Sequence, residues 1–523
     1  MPPIAGAPRG LSGGPVGSMS HDGPVTSPRR RAAPAPGRSA PAVRRVAVAL
    51  ASSLVALCLS VGSAGTAGAV DTPTPPPVPA VTPSGAPTTS GAATVTDLRV
   101  AVGAEPDGAP VTLDASIFVP TSAGRHPAVL LAHGFGGSKD DLVDQARRLA
   151  ERGFVVLTYT ARGFGHSGGR IHLDDPAYEV ADARALVSLL AARPEVRLDG
   201  PGDPRVGVAG GSYGGALALM LAATDQRVDT DVAMITWNDL ASAFFPQNAV
   251  VAGTPTTPAE VHAISTPGPF KRLWANRFFA ATTGGARASA GSGSAKDSAP
   301  GGTPANPLCG RFDPTICTQM LGAAQTGNAD DALLTLMRAH SPAPLLHGLT
   351  APTYLVQGMS DTLFGLDQSD ATARALSVQG TPVAVRWMDG GHDGPSSTAT
   401  QDEDSVQAWL EHYLLPETIP TTLPVPAFTY PGPLPRRATS APLFTAPDYP
   451  GLPIPGTQNA PLAPTRWTEV GVDTPNGGAT LLNPPGGSPA SMTTVPGLAA
   501  LLGGAGSGAS SGAPGSAGAA VSG

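Results

Sequence analysis

Beyond residue 20, three stretches of the chain carry Gly-x-Ser-x-Gly, a pattern that can set a serine hydroxyl on a tight turn as a nucleophile. They are centred on Ser167, Ser212 and Ser510. The first runs into further glycine, and the third lies in a Gly/Ser/Ala-rich stretch. Only Gly210-Gly211-Ser212-Tyr213-Gly214 falls between an apolar strand-like run, Val206–Ala209, and a helix-like one, Tyr213–Thr224. An elbow of this kind needs small neighbours, and Gly210, Gly214 and Gly215 supply them. A serine hydroxyl also needs a base, and the base needs an acid to orient it. Asp361 follows the apolar run Thr353–Gln357. His392 follows Val383–Met388 in a glycine-rich turn, 31 residues beyond Asp361. The order Ser, acid, His is the order a nucleophile elbow requires. Asp361 would accept the ring N–H of His392, and His392 would take the Ser212 proton and return it to a leaving group. Asp370 and Asp389 stand as alternative acids.

The developing oxyanion needs two N–H donors. One is expected from Tyr213, the residue after the nucleophile. The other is expected from Phe135 in Ala132-His133-Gly134-Phe135-Gly136-Gly137, with Gly134 as the alternative. His133 reads as a buried, hydrogen-bonded structural residue. Arg162-Gly163-Phe164-Gly165-His166-Ser167 reads as a tight structural turn near the pocket. His172, Asp174 and Asp175 read as a solvated loop rather than a metal site. No metal and no cofactor is expected. Trp237, Asn238 and Asp239 would either wall the pocket or cap the next helix.

These residues must be held by alternating strands and helices. Two strands, Leu98–Ala104 and Val111–Val119, are joined by a Glu-Pro-Asp-Gly turn and should pair antiparallel. Further strands are expected at Ala128–Ala132, Phe154–Thr160, Val206–Ala209, Val228–Trp237, Thr353–Gln357 and Val383–Met388. Helices fall between them, over 139–152, 178–192, 213–224, 369–378 and 402–414. That alternation implies an eight-stranded, mostly parallel, doubly wound sheet. It is interrupted at about 241–350 by a segment with Phe244, Phe245, Phe270, Trp274, Phe278 and Phe279, which reads as a helical cap between strands six and seven. A Gly/Ser/Ala tract at 284–303 lies inside it.

The ends have a different composition. Residues 46–61 are apolar, follow Arg44-Arg45 and precede Ala67-Gly68-Ala69, the pattern of a secretory signal peptide over 1–69. The apolar run is too short for a permanent span. Residues 70–93 read as a Pro/Thr-rich linker, 94–415 as the catalytic domain, and 416–523 as a Pro-rich and then Gly/Ser/Ala-rich tail. Without residues 1–69 the net charge falls from −7 to −13, which gives no reason to expect nucleic-acid binding. Beyond the signal segment two cysteines remain, Cys309 and Cys317, and in an exported chain they read as one disulfide. A secreted or extracellular location is therefore expected, and cell-wall proximity is compatible with it.

The runs His133-Gly134-Phe135-Gly136, Arg162-Gly163-Phe164-Gly165-His166-Ser167-Gly168-Gly169 and Gly210-Gly211-Ser212-Tyr213-Gly214-Gly215 resemble the X-Pro dipeptidyl-peptidase/cocaine-esterase-like branch of the α/β hydrolases. The resemblance covers about 95–415. It implies a triad at Ser212, Asp361 and His392, and cleavage of an ester or of an amide after proline. Two departures stand out. That branch often supplies one oxyanion donor from a tyrosine side chain, where this chain has His133-Gly134-Phe135. It also usually carries a C-terminal β-sandwich, where this chain has Pro-rich and Gly/Ser/Ala-rich sequence. An ester or peptide substrate is expected. A non-catalytic surface protein that retains the fold is the reading from another class.

Overall fold

The computed structural model describes residues 75–246, 268–282, 308–418 and 420–450. The signal segment, the tract at 284–303 and the Gly/Ser/Ala tail lie outside these residues. The strands of the main sheet are β1 (Val81–Pro83), β2 (Thr88–Ser90), β3 (Ala93–Val102), β4 (Val111–Pro120), β5 (Ala128–Ala132) and β6 (Val155–Thr160), followed by β7 (Val206–Gly211), β8 (Val228–Met234), β9 (Thr353–Gly358), β10 (Val383–Met388), β11 (Phe428–Pro431) and β12 (Leu443–Ala446). Their spatial order is β1-β3-β4-β6-β5-β7-β8-β9-β10-β11-β12, with β2 also on β3. From β6 to β11 every neighbouring pair is parallel. This is the α/β-hydrolase fold, and it contains all eight expected strands.

The sheet is wider than the sequence reading allowed. Twelve strands of the described residues join it, and four come from segments assigned to a linker and a tail. Thr88–Ser90 and Val81–Pro83 pair antiparallel with β3. Phe428 and Thr429 pair with Val385 and Arg386 of β10. The boundaries at 94 and 415 are corrected accordingly. Proline removes one ladder donor but is tolerated on edge strands, so proline content hid strands whose partners are distant in sequence.

The central strands are buried on both faces, and side-chain alternation divides the core. In β5, Val129 and Leu131 face helices α1 (Val143–Glu151) and α9 (Ala399–Leu414). Ala128, Leu130 and Ala132 face α2 (Glu179–Ala191), α3 (Tyr213–Thr224) and α8 (Leu366–Gln379). The cap contributes α4 (Leu240–Phe244), α5 (Arg272–Thr282), α6 (Pro314–Thr326) and α7 (Asp331–Ala339). Asp239, Asp313 and Asp330 cap α4, α6 and α7, their carboxylates accepting first-turn N–H groups. No helix among the described residues is long and apolar enough to cross a membrane.

Candidate active site

β7 leaves the sheet at Gly211, and α3 starts at Tyr213. Ser212, between them, has φ 56° and ψ −117°, a sparsely populated region for a residue with a side chain. The surroundings enforce it. The Ser212 N–H donates to the Met234 carbonyl at 2.8 Å, and its own carbonyl accepts from the Thr236 hydroxyl at 2.7 Å. A Cβ on Gly210 would lie 2.2 Å from the Gly214 carbonyl oxygen, and one on Gly214 would lie 2.2 Å from that of Ala132. Glycine at these two places is therefore a steric condition of the turn.

The parallel register brings the loops after β9 and β10 beside this elbow. His392 Nε2 is 2.8 Å from Ser212 Oγ, and its Nδ1 is 2.6 Å from Asp361 Oδ2. That carboxylate oxygen also accepts the His392 main-chain N–H. Asp361 Oδ1 accepts the N–H groups of Leu363 and Phe364 at 2.9 and 2.8 Å. The acid is fixed from both ends, and its side chain has no exposure. Gly391 has φ 146°, and a Cβ there would meet Asp361 Cβ at 2.7 Å. Phe364 and Trp274 present edge-on rings to the imidazole. The two alternative acids are engaged elsewhere: Asp370 with Arg374, and Asp389 with Ser396 and Ser397.

The Phe135 and Tyr213 N–H groups have no protein acceptor among the described residues. Gly134 backs directly onto Ser212: a Cβ on it would lie 3.7 Å from Ser212 Cβ. His133 shapes this loop. The Ala161 N–H donates to its Nε2 at 2.9 Å, so Nδ1 carries the proton and donates to the Gly134 carbonyl at 2.8 Å. Burial holds the His133 pKa below the ordinary value, which keeps this neutral tautomer.

Ser212 opens into a narrow cavity between the sheet and the cap. Phe135 and Trp237 line it from the sheet side, and Phe244, Phe278 and Phe279 line it from the cap. Leu173, Leu240, Phe312, Met320, Met337 and Phe364 complete the wall. Apart from Ser212 and Tyr213, every lining side chain is apolar. The aromatic content of the cap was visible in the sequence. The roles of Phe312, Met320 and Met337 were not, because single apolar residues on helices carry no mark of which cavity they face.

Beneath the wall lies a buried charged cluster. Arg162 makes a two-pronged contact with Asp182, both bonds 2.7 Å, and reaches Glu105 at 3.4 Å. His172 Nε2 is 2.8 Å from Glu105. The Tyr213 hydroxyl accepts the Asp174 N–H and donates to Glu179. Burial raises Glu179 to about 8 and Asp182 to about 6. The solvated-loop reading of residues 172–175 is therefore wrong for His172 and Asp174, both of which are buried. The partners of His172 are Glu105 and Glu179, and the Asp174 N–H reaches the Tyr213 hydroxyl; these lie far off in sequence or on the next helix. Among the described residues no group of three His, Cys, Asp or Glu could hold a metal ion. Cys309 and Cys317 are joined in a disulfide.

The X-Pro dipeptidyl-peptidase (S15 family) description matches residues 107–392. An uncharacterized 31.7 kDa protein of Escherichia coli is 33% identical over 122 residues, which are 23% of this chain and 41% of that protein. A monoacylglycerol lipase of Mycolicibacterium smegmatis is 36% identical over 96 residues, 18% of this chain and 32% of the lipase. The chain thus spans less than half the length of these relatives. Acetyl xylan esterase 1 from Thermoanaerobacterium is a solved structure with 18% identity and a TM-score of 0.41, covering 63% of this chain and 87% of the esterase. With the family match extending over more than half of the sequence, the chain belongs to the X-Pro dipeptidyl-peptidase (S15) family of α/β hydrolases.

Proposed function

We propose that this chain is an exported serine hydrolase that cleaves esters of apolar acyl groups through an acyl-enzyme on Ser212. The observation that carries the reading is the 2.8 Å approach of His392 Nε2 to Ser212 Oγ at the mouth of an apolar cavity. In the first step Ser212 Oγ attacks the ester carbonyl while His392 Nε2 takes its proton. Asp361 accepts the Nδ1–H bond and stabilises the imidazolium. The Phe135 and Tyr213 N–H groups, which have no acceptor among the described residues, suit the developing oxyanion. The tetrahedral intermediate collapses, the ester C–O bond breaks, and His392 returns the proton to the leaving alkoxide. Water then attacks the acyl-serine by the same route, releasing the acid and restoring the Ser212 hydroxyl.

The family match favours a second reading, release of X-Pro dipeptides. That reaction needs an acceptor for the substrate's ammonium group, and a buried ammonium without a partner is costly. The described wall offers no carboxylate, which is why the ester reading is preferred.

A fluorophosphonate probe should label the purified protein and fail to label Ser212→Ala. No labelling of the wild type, or equal labelling of both, would overturn the nucleophile. Faster turnover of Gly-Pro- and Ala-Pro-anilides than of p-nitrophenyl esters would replace the ester reading with the peptidase one. Export is read from the apolar run at 46–61 and the Ala67-Gly68-Ala69 site. N-terminal sequencing of the exported product should begin at Val70; a product that retains residues 1–69 would refute it.

A further inference from the structure

One part of the cavity wall is built differently from the rest. Phe312 sits in the loop between Cys309 and Cys317, which are joined across a separation of eight residues. Its ring is stacked on Phe135, with centroids 5.6 Å apart and planes 25° from parallel. It also lies 5.1 Å from the Phe279 ring. Phe312 therefore touches both the residue offered as an oxyanion donor and the cap helix α5.

The loop is fastened on two sides. On one side, the Ile171 N–H donates to the Arg311 carbonyl at 2.8 Å, and the Asp313 N–H donates to the Ile171 carbonyl at 2.9 Å. The Arg311 guanidinium donates to the Gly165 carbonyl at 3.0 Å and to the Ser167 carbonyl. On the other side the disulfide ties Cys309 to the first turn of α6. Met320, one helical turn beyond Cys317, lines the same cavity. The Phe312 N–H, bonded to the Cys309 carbonyl at 3.0 Å, closes the loop on itself. A bulky aromatic side chain has thus been fixed in place by a covalent bond, a short strand-like contact and an arginine clamp.

We propose that Phe312 limits the size of the acyl group this hydrolase accepts, and that the Cys309–Cys317 disulfide holds it in that position. The ligand class is an uncharged aliphatic acyl chain, since neither Phe312 nor its ring neighbours offers a polar atom. The proposal rests on Ser212 being the nucleophile of an ester hydrolase. Its physical basis is that apolar pockets discriminate by volume: an added methylene that cannot be accommodated costs on the order of tenfold or more in rate. Shortening Phe312 opens space beside Phe135 and Phe279, whereas enlarging it removes space.

The test compares p-nitrophenyl acetate, butyrate and octanoate as substrates of the full chain, its Phe312→Ala and Phe312→Trp variants, and the Cys309→Ser/Cys317→Ser double variant. The readout is the ratio of kcat/KM for octanoate to that for acetate. Phe312→Ala should raise the ratio by about tenfold, and Phe312→Trp should lower it. The double cysteine variant should move it in the direction of Phe312→Ala while Ser212 still reacts with the fluorophosphonate. If both Phe312 variants are labelled and keep the wild-type ratio, Phe312 does not set acyl size. If only the cysteine variant keeps that ratio, the disulfide does not hold the ring. A wild type that takes no label would bring down the Ser212 reading instead, so the two failures are distinguishable.

Discussion

Ser212 and Ser167 sit in the same five-residue pattern and lead opposite lives. Ser212 is held at a positive φ on the elbow, with its hydroxyl 2.8 Å from an imidazole nitrogen and facing a cavity. Ser167 is fully buried. Its hydroxyl donates to the Thr160 carbonyl at 2.6 Å and accepts the Asp114 N–H at 2.9 Å. Its bonding capacity is spent on tying the loop after β6 to β4. The pattern thus guarantees only a compact turn. Whether the hydroxyl becomes a nucleophile or a staple depends on what the fold sets opposite it.

The contrast can be broken most directly by exchanging the losses. Ser212→Ala should lower kcat by about 10⁶-fold and leave the thermal midpoint close to wild type, because alanine keeps the Cβ and the backbone bonds of the elbow. Ser167→Ala should retain labelling while costing about 1–3 kcal/mol of stability, because two buried backbone groups lose their partner. Retained turnover in Ser212→Ala, or lost labelling in a folded Ser167→Ala, would collapse the distinction. Next in size, Asp361→Asn should lower kcat by about 10⁴-fold, through loss of the tautomer that leaves Nε2 free to accept. Asp389→Asn should change kcat far less, since its carboxylate serves only Ser396 and Ser397. Equal effects of the two would return the acid to an open question.

The smallest effect is on pH. Burial raises Glu179 from 4.5 to about 8 and Asp229 from 3.8 to about 7. The folded chain therefore holds protons that the unfolded chain has released, and stability should fall as pH rises from about 4.5 to 8, then level off. The urea midpoint should follow that decline, and Glu179→Gln should flatten its upper part. A midpoint that rises across this window, or a variant that runs parallel to wild type, would contradict the buried-acid account. The Glu179 part of the effect belongs to the cluster beneath the pocket, whereas Asp229 accepts the Val206 N–H at the start of β7.

Much of this was legible in the residues. Strands β5 to β10 announce themselves as apolar runs because neither of their faces is exposed. Asp361 and His392 follow such runs, so their place at the carboxyl edge of the sheet follows from parallel topology. Three things did not show. Strands β1, β2, β11 and β12 owe their existence to partners elsewhere in the chain, and their own Pro/Thr-rich sequence argues for extended, unpaired chain. The burial of His172 depends on Glu105 and Glu179, and Asp174 is bonded to the Tyr213 hydroxyl; these partners are set only when the helices and the loop pack. The pocket wall draws Leu173, Phe312 and Met337 from three separate elements, with no periodicity in common.

The strands at the margins have a consequence for the protein in crowded solution. A sheet this wide would normally present two long rows of unpaired backbone groups, each a template for another chain. Among the described residues the outer side of β3 is shared between two three-residue pieces, Val81–Pro83 and Thr88–Ser90, and the opposite margin is the four-residue β12. Pro83 has no N–H to offer. An incoming strand would find only a few consecutive hydrogen-bonding positions at either margin, too few to seed stacking of one molecule on the next. The stretches that look least like structure in the sequence thus keep an otherwise adhesive sheet from growing by addition.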